Sequence, residues 1–274
     1  MLRRTVSVSE VLPLLSRIAA SKRIDDVWAL SVGYFRTLGF SRVNYGYTRF
    51  RHDRSIGDPD DAIFLSTADA DYVRLYFRGG FFARTPVYRW AATNEGACTW
   101  AWVQKAYDEG RLSPEEAEAV RQNAAMGVAA GVAISFPESS TRAKGAVGLI
   151  ADKDLSHADV DTIFSRHEHE LMAVANMMHL KIIQLPGGSS RRALTGRQRE
   201  VLEWVADGKT MQDIACIMGV SPAMVEKHLR LAREALDVDT TAQAVAKAAM
   251  MNLIFQRDPA PEESEFRLRA AAKR

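Results

Sequence analysis

The chain has 274 residues, 47% of them hydrophobic and 26% charged, a length that accommodates one large and one small domain and a composition that speaks against both disorder and a membrane protein. No apolar run approaches the eighteen or so residues of a membrane span, and Met1-Leu2-Arg3-Arg4 leads into Ser7, Ser9 and Glu10 instead of a continuous signal-peptide core, so a cytoplasmic protein with no membrane partner is expected. A formal net charge of +2 is too small to argue for nucleic acid, and that argument rests on local charge instead.

Residues 7–19 and 25–38 place apolar side chains at helical spacing and are expected as helices. RVNYGYTRF (42–50) is rich in aromatic and β-branched residues and reads as a strand, with a second at DAIFLST (61–67). ADYVRLYFRGG (70–80) predicts a short helix closed by Gly79 and Gly80. The chain is expected to turn at Thr85-Pro86, after which Trp90, Trp100 and Trp102 cluster. Ser113-Pro114-Glu115-Glu116 supplies an N-cap, a proline in the first turn and acids near the positive helix end, so 113–126 is a capped helix. GVAISFP (131–137) and GAVGLIA (145–151) predict a hairpin across the polar ESSTRAK, and 157–183 a long helix. An antiparallel sheet apolar on both faces needs cover on both, which predicts an α/β/α sandwich.

QLPGGSSRRA (184–193) concentrates Pro, Gly, Ser and Arg and reads as a linker. Beyond it, Thr195 and Gln198 form a capping box that starts a helix with Val201, Leu202, Trp204 and Val205 on its buried side, ended by Gly208. Thr210 caps a second, short helix with Ile214, Ala215 and Met218 inside, and Gly219 breaks it. Ser221 then caps a third, with Pro222 in its first turn. Val225, Leu229, Ala232 and Leu236 form its buried stripe, while Glu226, Lys227, Arg230 and Arg233 lie on its other faces. The pause at Gly219 to Ser221 has the length needed to turn one short helix across another, the geometry of a helix-turn-helix. Ser221, Ala223, Glu226, Lys227, Arg230 and Arg233, with Thr210 on the preceding helix, are the candidate DNA contacts: Lys227 and Arg230 for phosphates or guanine edges, Glu226 for a cytosine amino group or a surface pair with Arg230.

The stretch from Leu194 to Ala248, with its Leu-Thr opening, Gly-Lys-Thr, Ile-Ala and His-Leu pairs, resembles the DNA-binding domain of the LuxR family. The resemblance implies four helices, the third reading DNA and the fourth, about 240–253, helping to pair two domains. Gln198 stands where the family usually has Glu, Met224 where it has Thr, and Thr241 where it has Arg. The overall organisation expected is α+β: a ligand-binding α/β/α domain over 1–183, the linker 184–193, an all-α helix-turn-helix domain over 194–254, and a tail over 255–274, read as a frayed helix or disordered.

The first domain resembles the autoinducer-binding branch of the same family, whose pattern is Trp-x-x-x-Tyr, then Asp-Pro, then a Trp. This chain has Tyr72-x-x-x-Tyr76, Thr85-Pro86 nine residues beyond the Tyr and Trp100 fifteen beyond Thr85, with Gly127 and Gly131 near the place of a later Gly. The resemblance implies that Tyr72, Tyr76, Thr85 and Trp100 line a pocket for an acyl-homoserine lactone or a different signal. Thr85 replaces the carboxylate that accepts from the ligand amide, a charge-assisted bond of roughly 1.5–3 kcal/mol against about 1 for a neutral acceptor, and Gly148 occupies a strand position where a hydroxyl is common. Asn44, Gly46 and Thr48 alternate along the first strand and are expected on the pocket side.

No cofactor motif, paired carboxylates or nucleophile-base constellation is present, so no catalytic residue is expected. Cys98 and Cys216 have no metal-ligand spacing, and His167 and His169 fall on different helix faces, so no metal is expected either. The reading is a ligand-responsive regulator that binds promoter DNA as a homodimer. Its alternatives are a ligand-independent regulator of the same type, or an enzyme or interaction domain fused to a helix-turn-helix module.

Overall fold

The computed structural model describes residues 8–52, 56–68, 70–186 and 193–255. Residues 187–192 of the linker and 256–274 of the tail lie outside the described residues. In the first unit, Met1–Arg191, the chain runs through α1 (Val8–Ala20), α2 (Ile24–Thr37), β1 (Arg42–Thr48), β2 (Ile63–Ser66), α3 (Ala70–Val73), α4 (Pro86–Thr93), β3 (Gly96–Thr99), α5 (Ala101–Asp108), α6 (Pro114–Ala125), β4 (Gly131–Ser135), β5 (Lys144–Ile150) and α7 (His157–Gln184). The strands form one antiparallel sheet in the order β2-β1-β5-β4-β3.

Strand alternation decides which side chains meet which layer. Val43, Tyr45 and Tyr47 of β1 and Val147 and Leu149 of β5 join Val11, Ile18, Val27, Phe35, Val174 and Met178 in the main core, so α1, α2 and α7 cover that face. Asn44, Gly46 and Thr48 lie opposite Gly148, Ala146 and Lys144 in the β1–β5 ladder. These point to the other face, beside a smaller core of Trp100, Val103, Val128, Ala133 and Ile150. The sandwich is layered as the sequence implies.

On the covered face one buried polar cluster fixes sheet against helix. His179 of α7 stacks on Phe136 at 4.1 Å, meets the Tyr45 hydroxyl at 3.0 Å through Nδ1 and Glu138 at 3.1 Å through Nε2. A Cβ at Gly145 would sit 2.6 Å from this ring, which is why a glycine is needed in mid-strand.

At three places the structure adds to the sequence reading. Thr85-Pro86 is not a simple turn but the start of α4: Thr85 caps it, its hydroxyl accepting the Tyr88 N–H at 3.2 Å, and Pro86 sits in the first turn. The tryptophan-rich stretch holds strand β3 and helix α5, whose four- and eight-residue lengths are too short for a periodicity to show. The helix expected over 70–80 is α-helical to Val73 and continues as a wider π-helix through Arg74–Arg78, before Gly79 caps it and Gly80 takes a φ of 68°.

The second unit, Arg192–Arg274, contains α8 (Gly196–Ala206), α9 (Met211–Met218), α10 (Pro222–Leu236) and α11 (Thr241–Met250). Thr195 with Gln198, Thr210 with Asp213 and Thr240 with Gln243 form reciprocal capping boxes at three of these starts. Gly219 closes α9 with a left-handed φ of 65°. Val201, Leu202, Ile214, Val225, Leu229, Ala232, Leu236 and Ala248 pack into its separate core. None of the described helices is long and apolar enough to cross a membrane.

Candidate functional site

On the sheet face away from α7, the chain encloses a mostly apolar cavity of about 180 Å³. Asn44, Gly46, Thr48 and Gly148 form part of its floor, and Tyr72, Tyr76, Thr85 and Trp100 part of its walls. Residues drawn from two strands, an irregular helix, a helix cap and a loop are thus brought to one space. Phe64, Phe77, Phe82 and Tyr88 complete an aromatic wall, in which Tyr72 and Tyr76 stack at 5.2 Å and Phe82 meets Tyr88 edge-on at 4.9 Å.

The polar groups here are largely engaged with one another. Asn44 Nδ2 donates to the Tyr72 hydroxyl at 3.2 Å, and its Oδ1 accepts from Ser66 Oγ at 2.7 Å. Burial pushes the Tyr72 hydroxyl up in pKa, with the Asn44 bond pulling back the other way, and burial holds Tyr76 far above its ordinary value. Thr48 donates to Ile56 O at 2.7 Å and accepts from Phe50 N–H at 3.0 Å, pinning the end of β1.

Thr85 lines the cavity and also organises its wall. Its hydroxyl donates to Phe82 O at 2.8 Å and accepts the Tyr88 N–H at 3.2 Å. Of the one donor and two acceptor sites of a hydroxyl, one acceptor site is left over. Thr85→Ala is expected to destabilise the protein by about 1 kcal/mol, the usual cost of a lost cap. In a thermal melt that is a fall of about 2–4 °C, while Thr85→Asp, also a capping residue, should melt near the native temperature.

Two cavity-lining groups have no partner among the described residues: Trp100 Nε1, a donor, and Asn123 Oδ1, an acceptor, both buried. Trp100 is 8% exposed and lies against the sheet, so that a Cβ at Gly148 would meet its ring at 3.7 Å and one at Gly131 at 3.1 Å. Asn123, on α6, was not singled out from the sequence. Neither were Arg51 and Lys144, which also line the cavity. Counting back by twos from Gly148 along β5 reaches Lys144, a signal that was present; nothing in the sequence marks Asn123 or Arg51.

In the second unit, Ser221, Ala223, Glu226, Lys227 and Arg230 are exposed, Ser221 as the cap of α10 and the other four on its side away from Val225, Leu229 and Ala232. Lys227 has no ion-pair partner among the described residues. Arg230 pairs with Glu234 one turn on. Glu226 pairs with Arg233 at 3.0 Å, not with Arg230. Arg233, 21% exposed, also donates to Thr241 Oγ1 at 2.9 Å and so ties α10 to α11. Thr210 exchanges hydrogen bonds with Asp213 at the exposed start of α9, holding that carboxyl below the usual aspartate range. Exposed Met224 adds an apolar contact surface to the first turn of α10.

A cavity on one face of an antiparallel sheet, in a chain that ends in a helix-turn-helix, defines a sensor-type regulator, and comparison with known proteins agrees. Residues 23–182 match the autoinducer binding domain family, and residues 192–236 match region 4 of sigma-70. The quorum sensing-dependent transcriptional regulator RpaR of Rhodopseudomonas palustris is 30% identical over 185 residues, 67% of this chain and 72% of that one. The transcriptional activator SolR of Ralstonia solanacearum is 30% identical over 225 residues, 80% of this chain and 88% of that one. Escherichia coli SdiA shares the fold, with a TM-score of 0.52 at 18% identity over 90% of this chain and 99% of that one. The chain belongs to the LuxR family of quorum-sensing transcriptional regulators, with an autoinducer-binding domain followed by a helix-turn-helix.

Proposed function

We propose that the cavity holds the signal molecule and that α10 reads promoter DNA, two copies of the chain together spanning a partly palindromic site in the cytoplasm. Half-sites about 34 Å apart fit such a dimer, because that is one turn of the duplex. The observation that supports the sensor half is an apolar cavity lined by Trp100 and Asn123, each of which carries a buried polar atom, Nε1 and Oδ1, without a partner among the described residues. Each costs roughly 1–3 kcal/mol while unpaired. A ligand with one acceptor and one donor removes both penalties, which is a differential affinity for the filled, ordered state.

The head group of that ligand is not the usual one. Thr85 offers an amide N–H one remaining neutral lone pair in place of a carboxylate, and Gly148 contributes no hydroxyl. A panel of acyl-homoserine lactones titrated calorimetrically into the full-length protein should therefore show no nanomolar binding. A nanomolar isotherm for any member would overturn this account of the pocket, and leave the DNA-binding role untouched.

A further inference from the structure

We infer that the signal carries an anionic group, a carboxylate or its equivalent, received by Lys144 and Arg51 at the Thr48 end of the cavity. This deepens the proposal that the cavity is the signal site and rests on it. The register of β1 on β5 gives the cavity a direction: Asn44 lies opposite Gly148, and Thr48 opposite Lys144. Four residues of strand separate the two ends, about 13 Å. At the first end the polar groups are neutral, with Asn44 bonded to Tyr72. At the second end they are cationic.

Charge is distributed with one sign. Lys144 and Arg51 both line the cavity, and among the described residues no Asp or Glu does. Lys144 Nζ donates to two backbone carbonyls, Asn94 O at 3.1 Å and Phe136 O at 3.4 Å. A lysine ammonium has three donors and its charge is not neutralised by carbonyls, so capacity for an anion remains. The two carboxylates whose fields reach Lys144 form no ion pair with it among the described residues: Glu138 lies 3.1 Å from His179 Nε2, and Glu95 is exposed. Burial without an ion-pair partner lowers the Lys144 pKa, the proximity of Arg51 adding to this and the fields of Glu95 and Glu138 opposing it. An arriving anion would be desolvated only in part, because Lys144 is half-buried, and would meet a charge-assisted donor in Lys144, with the field of Arg51 adding to the attraction. Its apolar body would extend along Ala146 and the aromatic wall.

Decanoate and decan-1-ol, equal in chain length and different in charge, separate the possibilities when each is titrated into the full-length protein with calorimetric detection. Wild type should bind decanoate at least tenfold more tightly than the alcohol. Lys144→Met and Arg51→Met should each reduce that preference to about twofold or less, with Lys144→Arg restoring it. Gly148→Leu, which fills the opposite end, should weaken both ligands and so locate them in the cavity. Equal binding of acid and alcohol by wild type, or a preference that survives both methionine variants, overturns the anionic assignment while the cavity remains the ligand site. If neither ligand binds, or if Gly148→Leu leaves both unaffected, the cavity assignment falls and this one with it. Should Lys144→Met melt before the titration temperature, because it also loses the bonds to Asn94 and Phe136, Arg51→Met alone decides.

Discussion

Lys227→Ala is expected to weaken promoter binding by the full-length protein roughly tenfold at physiological salt, and the double variant with Arg230→Ala by a hundredfold or more, at about 1–3 kcal/mol for each side chain removed from a phosphate or base. Lys227 is the more direct test, being exposed and without an ion-pair partner among the described residues, so its removal costs the free protein nothing. Arg230 must leave Glu234 to reach DNA, but an exposed i,i+4 pair is worth only about 0.3–0.5 kcal/mol, which is little against a contact in the groove. Salt dependence separates the roles of the three cations on α10. Removing one cation from a phosphate should reduce the slope of log affinity against log salt by about 0.9, and this is expected for Lys227→Ala without a change in melting temperature. Arg233→Ala should behave in the opposite way, because Arg233 is tied to Glu226 and Thr241: the second unit melts earlier and the slope stays where it was. Unchanged affinity and slope in Lys227→Ala would remove α10 from the interface.

Sequence carried most information where structure is local. The second unit is built of capped helices, and each cap is a short-range pattern: Thr195 with Gln198, Thr210 with Asp213, Ser221 before Pro222. The buried stripe Val225, Leu229, Ala232 and Leu236 follows from helical period alone and is found buried. What periodicity does not give is the pairing of charges. Glu226 stands four residues from Arg230 and seven from Arg233, and it pairs with Arg233, the two lying two turns apart on one helix face where Arg233 is also fixed by Thr241 of α11.

The cavity was legible in a different way. Alternation along β1 placed Asn44, Gly46 and Thr48 on one face, and the resemblance to the autoinducer-binding pattern pointed to Tyr72, Tyr76, Thr85 and Trp100 as walls, although the helix that Thr85 caps and the elements around Trp100 were not read. Helix α4 has eight residues and strand β3 four, too few for a period to emerge, yet Thr85-Pro86 is itself an N-cap followed by a first-turn proline, the pattern recognised at Ser113-Pro114 and Ser221-Pro222. The Thr85 hydroxyl bonds Phe82 O and the Tyr88 N–H, each three residues away. Asn123 and Arg51 reach the cavity only through tertiary packing, and no short-range signal marks either.

The two glycines beneath Trp100 should respond oppositely to a side chain, and the comparison tests the floor of the cavity directly. At Gly131 of β4 an added Cβ would stand 2.4 Å from the Leu149 carbonyl oxygen and 3.1 Å from two carbons of the Trp100 ring. The first of these neighbours is backbone in the next strand and cannot withdraw without opening the β4–β5 ladder. Gly131→Ala is therefore expected to cost about 3 kcal/mol, at the upper end of overpacking penalties, and to lower the melting temperature by roughly 6–12 °C. At Gly148 of β5 the added Cβ would lie 3.7 Å from the same ring and 4.0 Å from Asn44 O, ordinary contact distances, and the residue has no left-handed backbone to lose. Gly148→Ser should melt within a few degrees of the native protein and place a hydroxyl beside Asn44 and Trp100. The same substitution should then change ligand selectivity toward molecules with a polar group at that end, measurable by calorimetry on a variant whose stability is intact. If Gly131→Ala melts like the native protein, the strand spacing and the position of Trp100 are wrong, and the shape assigned to the cavity fails with them.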